Sequence, residues 1–222
     1  MRNLFQNLAK FKEELKSVCQ NCGRNISEIS LVAVTKNHSA EEVNELIKSG
    51  VTQIGENRLQ EALEKFPDLN ECEKHFVGHI QSNKAKEVAQ NFDVIQSVSS
   101  LKVAQILNDS ATTAGSGVSP DHLNRIFLQA NLAGEEQKSG FLARDLAGAI
   151  KAIHELPQLE IQGLMVMGVL GDAEKTRAVF AQAKKLNDKL GFKSLSMGMS
   201  GDWQIAVEEG ATHLRVGSLL FK

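Results

Sequence analysis

Tyrosine is missing altogether from these 222 residues. No phenol of this chain can therefore act as a general acid or base. Proline and cysteine are scarce at three each, and there is one tryptophan. Three cysteines do not make a disulfide framework; they fit a reducing compartment. Excess charge of one sign is missing too: the net charge is −2. That leaves no electrostatic footprint for nucleic acid or for an anionic membrane. The longest nearly apolar run, GLMVMGVLG at 163–171, is too short to span a bilayer. The opening MRNLFQNLAKFKEELK carries charges every few residues and lacks the apolar stretch of a signal peptide. The expectation is a cytoplasmic protein without nucleic-acid or membrane partners. No long apolar patch demands a second subunit, so a monomer is expected.

What is present suffices for one sizeable core. Hydrophobic residues make up 42% of the chain, which fits a single domain over 1–222. The first 24 residues read as a helix packed on that domain, through the apolar series Leu4, Leu8, Phe11, Leu15 and Val18. Cys19 and Cys22 continue this series. With Cys72 and His75 they have spacings that zinc could use, but at i, i+3 on an apolar face they read as packed side chains, and no metal site is expected.

After that helix one unit repeats: a short β-rich run, then an amphipathic helical run. The β-rich runs cover 29–36, 52–57, 75–81, 93–99, 125–132, 160–167, 194–200 and 213–221. In the helical run 39–50, Ser39 can cap, Glu42 closes a capping box and Gly50 stops the helix. The run 172–191 repeats this grammar with Asp172 and Gly191, and 201–210 is a shorter version. Strands alternating with helices predict a parallel sheet. Eight such units predict a (β/α)8 TIM barrel. A doubly wound open sheet would normally carry a glycine-rich loop after its first strand, and TKNHSA holds no glycine there. The segment ATTAGSGVSP at 111–120 reads as a surface loop before the fifth strand.

In such barrels function sits at the C-terminal ends of the strands. Polar residues concentrate at those tips here. Ser200 and Gly201 precede a short helix expected over 202–209, whose amides and dipole favour an anion. Gly217 and Ser218 repeat that chemistry at the end of the eighth strand. Together they predict a phosphate cradle, where either pair alone would serve equally as a cap or a packing device. Arg215 shares a face with Gly217 by period two, and an inward arginine needs an acceptor. Lys36 shares a face with Val32 and Val34 and so points to the barrel mouth. An amine, a phosphate cradle and a cation able to face a ring nitrogen are the parts of a pyridoxal 5′-phosphate (PLP) site.

In order along the chain, VAVTKN, GENRLQEA, HFVGHIQSNK, QANLAGEEQKSGF, GLMVMG, LSMGMSGD and LRVGSLLF resemble the pyridoxal-phosphate homeostasis protein family. These are single-domain relatives of the barrel domain of alanine racemase, the fold-type III PLP barrel, and the match runs from about residue 29 to the C-terminus. The resemblance implies that Lys36 is the Schiff-base lysine holding PLP as an internal aldimine. It implies that Asn57 lines the cofactor, that Ser200 and the Gly217–Ser218 pair hold its phosphate, and that Arg215 partners the pyridine nitrogen. Met165 then packs near the ring, and Lys138 stands where the family usually has lysine. KNHSA lacks the family's usual proline after the lysine, and the segment after GLM is shorter than usual. Both departures bear on the shape of the mouth.

Three functions remain open at this point. The first is a non-catalytic PLP binder that buffers the cofactor or delivers it to apo PLP-dependent enzymes. The second is an amino-acid racemase or related enzyme, and the third a barrel binding another phosphorylated metabolite. Two features favour the first. Racemisation needs two bases on opposite faces, and the tyrosine that alanine racemases draw from another domain is missing here. An arginine at the ring nitrogen also makes the ring a weaker electron sink. No catalytic residue is therefore assigned.

Overall fold

The structure is a computed structural model describing residues 4–111, 123–133 and 139–222. Lys138 and nearly all of the 111–120 segment lie outside the described residues. The chain opens with α1 (Leu4–Asn21) and then alternates strands with helices. The order is β1 (Ser30–Val34), α2 (Ala40–Lys48), β2 (Gln53–Glu56), α3 (Leu59–Lys65), β3 (Glu73–Phe76), α4 (Ala85–Asn91), β4 (Val94–Val98) and α5 (Leu101–Ala111). It continues with β5 (Asn124–Ala130), α6 (Leu146–His154), β6 (Leu159–Val166), α7 (Ala173–Lys189), β7 (Ser194–Met199), α8 (Trp203–Glu208) and β8 (His213–Val216). All pairings are parallel and β8 closes on β1, with Val32 opposite Arg215. The eight strands form the expected TIM barrel. Among the described residues no helix is long and apolar enough to cross a membrane.

Local signals set the helix ends. Ser39 and Glu42 form the capping box of α2, and Gly50 follows it at φ +90°. Asp172 accepts from Lys175 N at the start of α7. β3 starts and ends earlier than the run 75–81: HFVGHIQ is apolar enough to read as strand, but pairing ends at Phe76 and the rest turns over the barrel rim. β8 is shorter than the run 213–221, since pairing with β1 and β7 ends by Val216.

The apolar core is the layer between strands and helices. Outward-facing Ala33, Ile54, Phe76, Ile95, Ile126, Leu128, Leu164, Leu195 and Leu214 pack there with Val43, Leu46, Leu107, Ile153 and Phe180. Burying each large side chain contributes about 1.5–3 kcal/mol before entropy is counted. α1 adds Leu4, Leu8, Phe11, Leu15 and Cys19, and Phe11 meets Trp203 of α8 edge-on at 5.1 Å. Asn7 of α1 donates to the carbonyls of Leu220 (3.1 Å) and Lys222 (2.7 Å).

The barrel lumen differs. Its apolar content includes a small separate cluster of Val94, Phe127 and Met165, with Met167 beside it, and buried Val32 of β1. The remaining lumen is polar: His75, Gln96, Ser196 and Arg215 are all buried. Barrel interiors are usually filled by branched apolar residues. Here several inward strand positions carry hydrogen-bonding side chains instead.

Candidate functional site

A cavity of about 540 Å³ opens at the C-terminal ends of the strands. Lys36, Asn57, Met165, Ser200, Gly201, Arg215, Gly217 and Ser218 all line it. Its size suits a small organic ligand. Val34, Asn37, His38, Val77, Met167 and Met199 complete the wall.

Lys36 reaches this cavity by a different route from the one strand parity implies. β1 ends at Val34, and Lys36 sits two residues further on in a turn closed by His38 N–H donating to the Thr35 carbonyl (3.2 Å). Asn37 follows at φ +62°, a left-handed conformation that asparagine adopts more readily than most residues. The lysine is exposed, at the rim rather than in the lumen. Beside it, His38 stacks on Phe221 at 3.6 Å between ring centroids and contacts Glu42 at 3.2 Å.

The cradle lies between the ends of β7 and β8, beside the closing seam of the barrel. Ser200 follows β7, and its hydroxyl accepts the Gly217 N–H at 3.3 Å. A Cβ at Gly217 would stand 2.9 Å from the Val34 carbonyl, so the backbone reaches the cavity there without a side chain. A Cβ at Gly201 would meet nothing within 4 Å; this position faces open space. Asp202 accepts the Met199 N–H at 2.5 Å and closes the turn between them. α8 starts only at Trp203 and has six residues, shorter than the sequence implied. The cradle is therefore built from turn amides and hydroxyls more than from a helix end.

Arg215 is 5% exposed. Burial lowers its pKa to about 10, Asp202 opposing, so it stays charged at neutral pH. Nη2 donates to the Val166 carbonyl at 3.0 Å and Nη1 to Ser196 Oγ at 2.6 Å. Ser196 donates to Gln96 Oε1 (2.7 Å), and Gln96 Nε2 reaches His75 Nδ1 (2.8 Å). An amide nitrogen can only donate, so the His75 proton lies on Nε2, which meets Glu73 at 2.8 Å. Arg125 pairs with the same carboxylate at 2.7 Å. His75, hydrogen-bonded to Glu73, and Arg125 hold that carboxyl at about 2. Each group thus donates to the next, from the cation at the mouth to a carboxylate at the barrel base.

Met165 is 2% exposed and forms the cavity floor. Asn57 is pinned by close approach: a Cβ at Gly78 would lie 2.1 Å from its carbonyl oxygen. Its Oδ1 is buried without a hydrogen-bond partner among the described residues. An orphaned amide oxygen in the wall, a cradle of turn amides and hydroxyls and a fixed cation suit a phosphorylated, ring-bearing molecule. Cys19 lies in the core, while Cys22 donates to its carbonyl at 3.5 Å.

Sequence reasoning missed Ser196, Gln96, His75 and Glu73. Each lies at an inward position of its strand, so alternation could have flagged them. His38 carried no signal of its own.

The family model described as "Alanine racemase, N-terminal domain" matches residues 6–222. A pyridoxal phosphate homeostasis protein of Pseudomonas aeruginosa is 38% identical, the alignment covering 100% of this chain and 96% of that protein. That of Escherichia coli K12 is 33% identical, with 100% and 97% covered. PipY of Synechococcus elongatus PCC7942, solved with PLP bound, superposes with a TM-score of 0.84 at 35% identity, covering 99% of this chain and 100% of that one. Alanine racemase of Clostridium difficile 630 shares the fold, with a TM-score of 0.70 at 16% identity over 98% of this chain and 56% of that chain.

Proposed function

Because this chain belongs to the pyridoxal phosphate homeostasis protein family, we propose that it binds PLP covalently on Lys36. In this role it buffers the cofactor and supplies it to PLP-dependent enzymes that lack it. The observation that carries the reading is the meeting of all eight sequence-named residues in one cavity, with the amine on one side of the barrel seam and the cradle on the other.

When bound, PLP supplies an aldehyde open to amines and a phosphate dianion on an aromatic ring. Lys36 provides the amine at the rim. Ser200, Gly201, Gly217 and Ser218 hold the dianion through hydroxyls and amides. Arg215 presents a guanidinium to the ring nitrogen and keeps that nitrogen unprotonated. Met165 supports the ring from the floor. Asn57 gives an amide to a polar ring substituent. The chain holds no tyrosine to act as a second base opposite Lys36, which supports storage over racemisation.

The test is mass spectrometry of protein mixed with PLP and reduced with borohydride. The expected product carries the cofactor on Lys36 alone. Protein that stays colourless and unlabelled overturns the reading. Exchange of the α-proton of an amino acid at enzyme-like rates would replace storage by catalysis.

A further inference from the structure

Thr35 and Asn37 flank Lys36, and one group of charges holds both. Glu56, the last residue of β2, and Lys65, the last of α3, are 0% and 7% exposed. Lys65 Nζ donates to Glu56 Oε1 at 2.6 Å and to the Thr35 carbonyl at 2.8 Å. The Thr35 hydroxyl donates to the same Glu56 oxygen at 2.6 Å. Glu61, one turn back on α3, lies 3.7 Å from Lys65 Nζ and accepts the Asn37 N–H. None of Thr35, Glu56, Glu61 and Lys65 is among the residues lining the cavity.

Stability alone does not account for this cluster. Buried ion pairs can commonly be replaced by apolar residues of similar volume without loss, because desolvation offsets the attraction. Two carboxylates and one ammonium are also unbalanced in charge. Their hydrogen bonds, however, converge on the peptide units immediately before and after Lys36. The Thr35 carbonyl takes both Lys65 Nζ and the His38 N–H (3.2 Å), which fixes the plane of the peptide entering Lys36. The Glu61 carboxylate fixes the amide of left-handed Asn37, on the exit side.

We propose that Lys65, with Glu56 and Glu61, positions Lys36 for attachment of the cofactor aldehyde. A lysine stem is long and flexible, so its amine finds one geometry reliably only when its Cα–Cβ direction is set. The attachment joins the neutral Nζ to the aldehyde carbon as a C=N bond, releases one water and changes no oxidation state. A misplacement of about 1 Å can slow such a step about 100-fold. The proposal rests on Lys36 being the attachment residue.

Two variants test it: Glu61→Ala, at the partly exposed end of the cluster, and the double variant Lys65→Met with Glu56→Leu, which removes both buried charges together. Three quantities are measured beside wild type. They are the rate of borohydride-trapped attachment to Lys36, the melting temperature, and the Kd of pyridoxine 5′-phosphate, whose alcohol cannot condense with an amine. The expected result is attachment slowed about tenfold or more, with the Kd of the alcohol analogue and the melting temperature near wild type. Attachment at the wild-type rate overturns the positioning role and leaves the proposed function standing. A parallel loss of analogue affinity and melting temperature also overturns it, showing a purely structural cluster. If the double variant does not fold, Glu61→Ala decides alone. Absence of label on Lys36 in wild type overturns the proposed function itself.

Discussion

Gln96 and Ser196, one hundred residues apart in the chain, meet in the barrel lumen through a 2.7 Å hydrogen bond. The bond joins two halves of a polar chain that runs between the cavity and the opposite end of the barrel. Gln96 gives it a one-way character. An amide passes polarisation along but does not readily relay a proton. The chain therefore supports Arg215 as a fixed cation and does not drain or supply protons at the mouth.

Replacing Ser196 by alanine removes one of the two acceptors of Arg215, leaving the Val166 carbonyl, and leaves the buried Gln96 carbonyl without its donor. The expected loss is about 1–3 kcal/mol in urea unfolding, with weaker PLP binding as Arg215 is held at one point only. Wild-type values for both would remove the chain from any account of the site.

Ser200→Ala separates binding from folding. Its hydroxyl is one of the groups proposed for a charged phosphate, and such bonds are each worth about 1.5–3 kcal/mol. PLP affinity should fall about tenfold or more, while the lost acceptor of the Gly217 N–H should cost only about 0.5–1.5 kcal/mol of stability. Equal affinity, read by equilibrium dialysis, would contradict the phosphate role.

Gly217→Ala should behave differently. The new methyl would press on the Val34 carbonyl at 2.9 Å, where backbone has to move. Overpacking of this kind costs about 1–3 kcal/mol, so melting temperature and PLP affinity should fall together. A variant that melts like wild type would show that the seam has slack.

Acid should weaken the fold in two stages. His213 lies inward, edge-on to Phe127 at 5.2 Å. Burial, then His75 and Arg215, push its pKa from 6.5 to about 4, with Glu73 opposing. The unfolded chain then binds more protons, so this contribution is complete above pH 6.5 and is lost as pH falls towards 4. Glu73 is lowered from 4.5 to about 2, and its contribution disappears as pH falls through that lower range. Melting curves of His213→Asn should lack the upper stage and keep the lower one. An unchanged upper stage would assign it to another group.

The sequence was informative wherever a residue type had one dominant physical use. Ser39 with Glu42, and Asp172, marked helix starts because few other arrangements satisfy free amides. The glycines and serines of the last two strand ends pointed to the cavity because barrel topology brings those ends together. The lumen was legible only as a face: alternation marks its residues as inward but not what they meet. Gln96, Ser196 and His75 look like ordinary polar punctuation in apolar strands until closure of the sheet turns them onto one another. The same holds for Glu56 and Lys65. A carboxylate in GENR and a lysine ending a helix read as surface charge, and only the packing of α3 against β1 and β2 buries them as a pair.

Closure of β8 against β1 has one more consequence. The amine comes from the first stave and much of the cradle from the last, so the two are separated by nearly the whole chain. No partly synthesised or C-terminally clipped chain can offer both. A ligand gripping both staves acts as a clasp on the hoop, and resists opening in proportion to its concentration over its Kd. The loaded protein should then lose its hold on the cofactor and its last stave in one event, so that release of cargo and loosening of the seam report on each other.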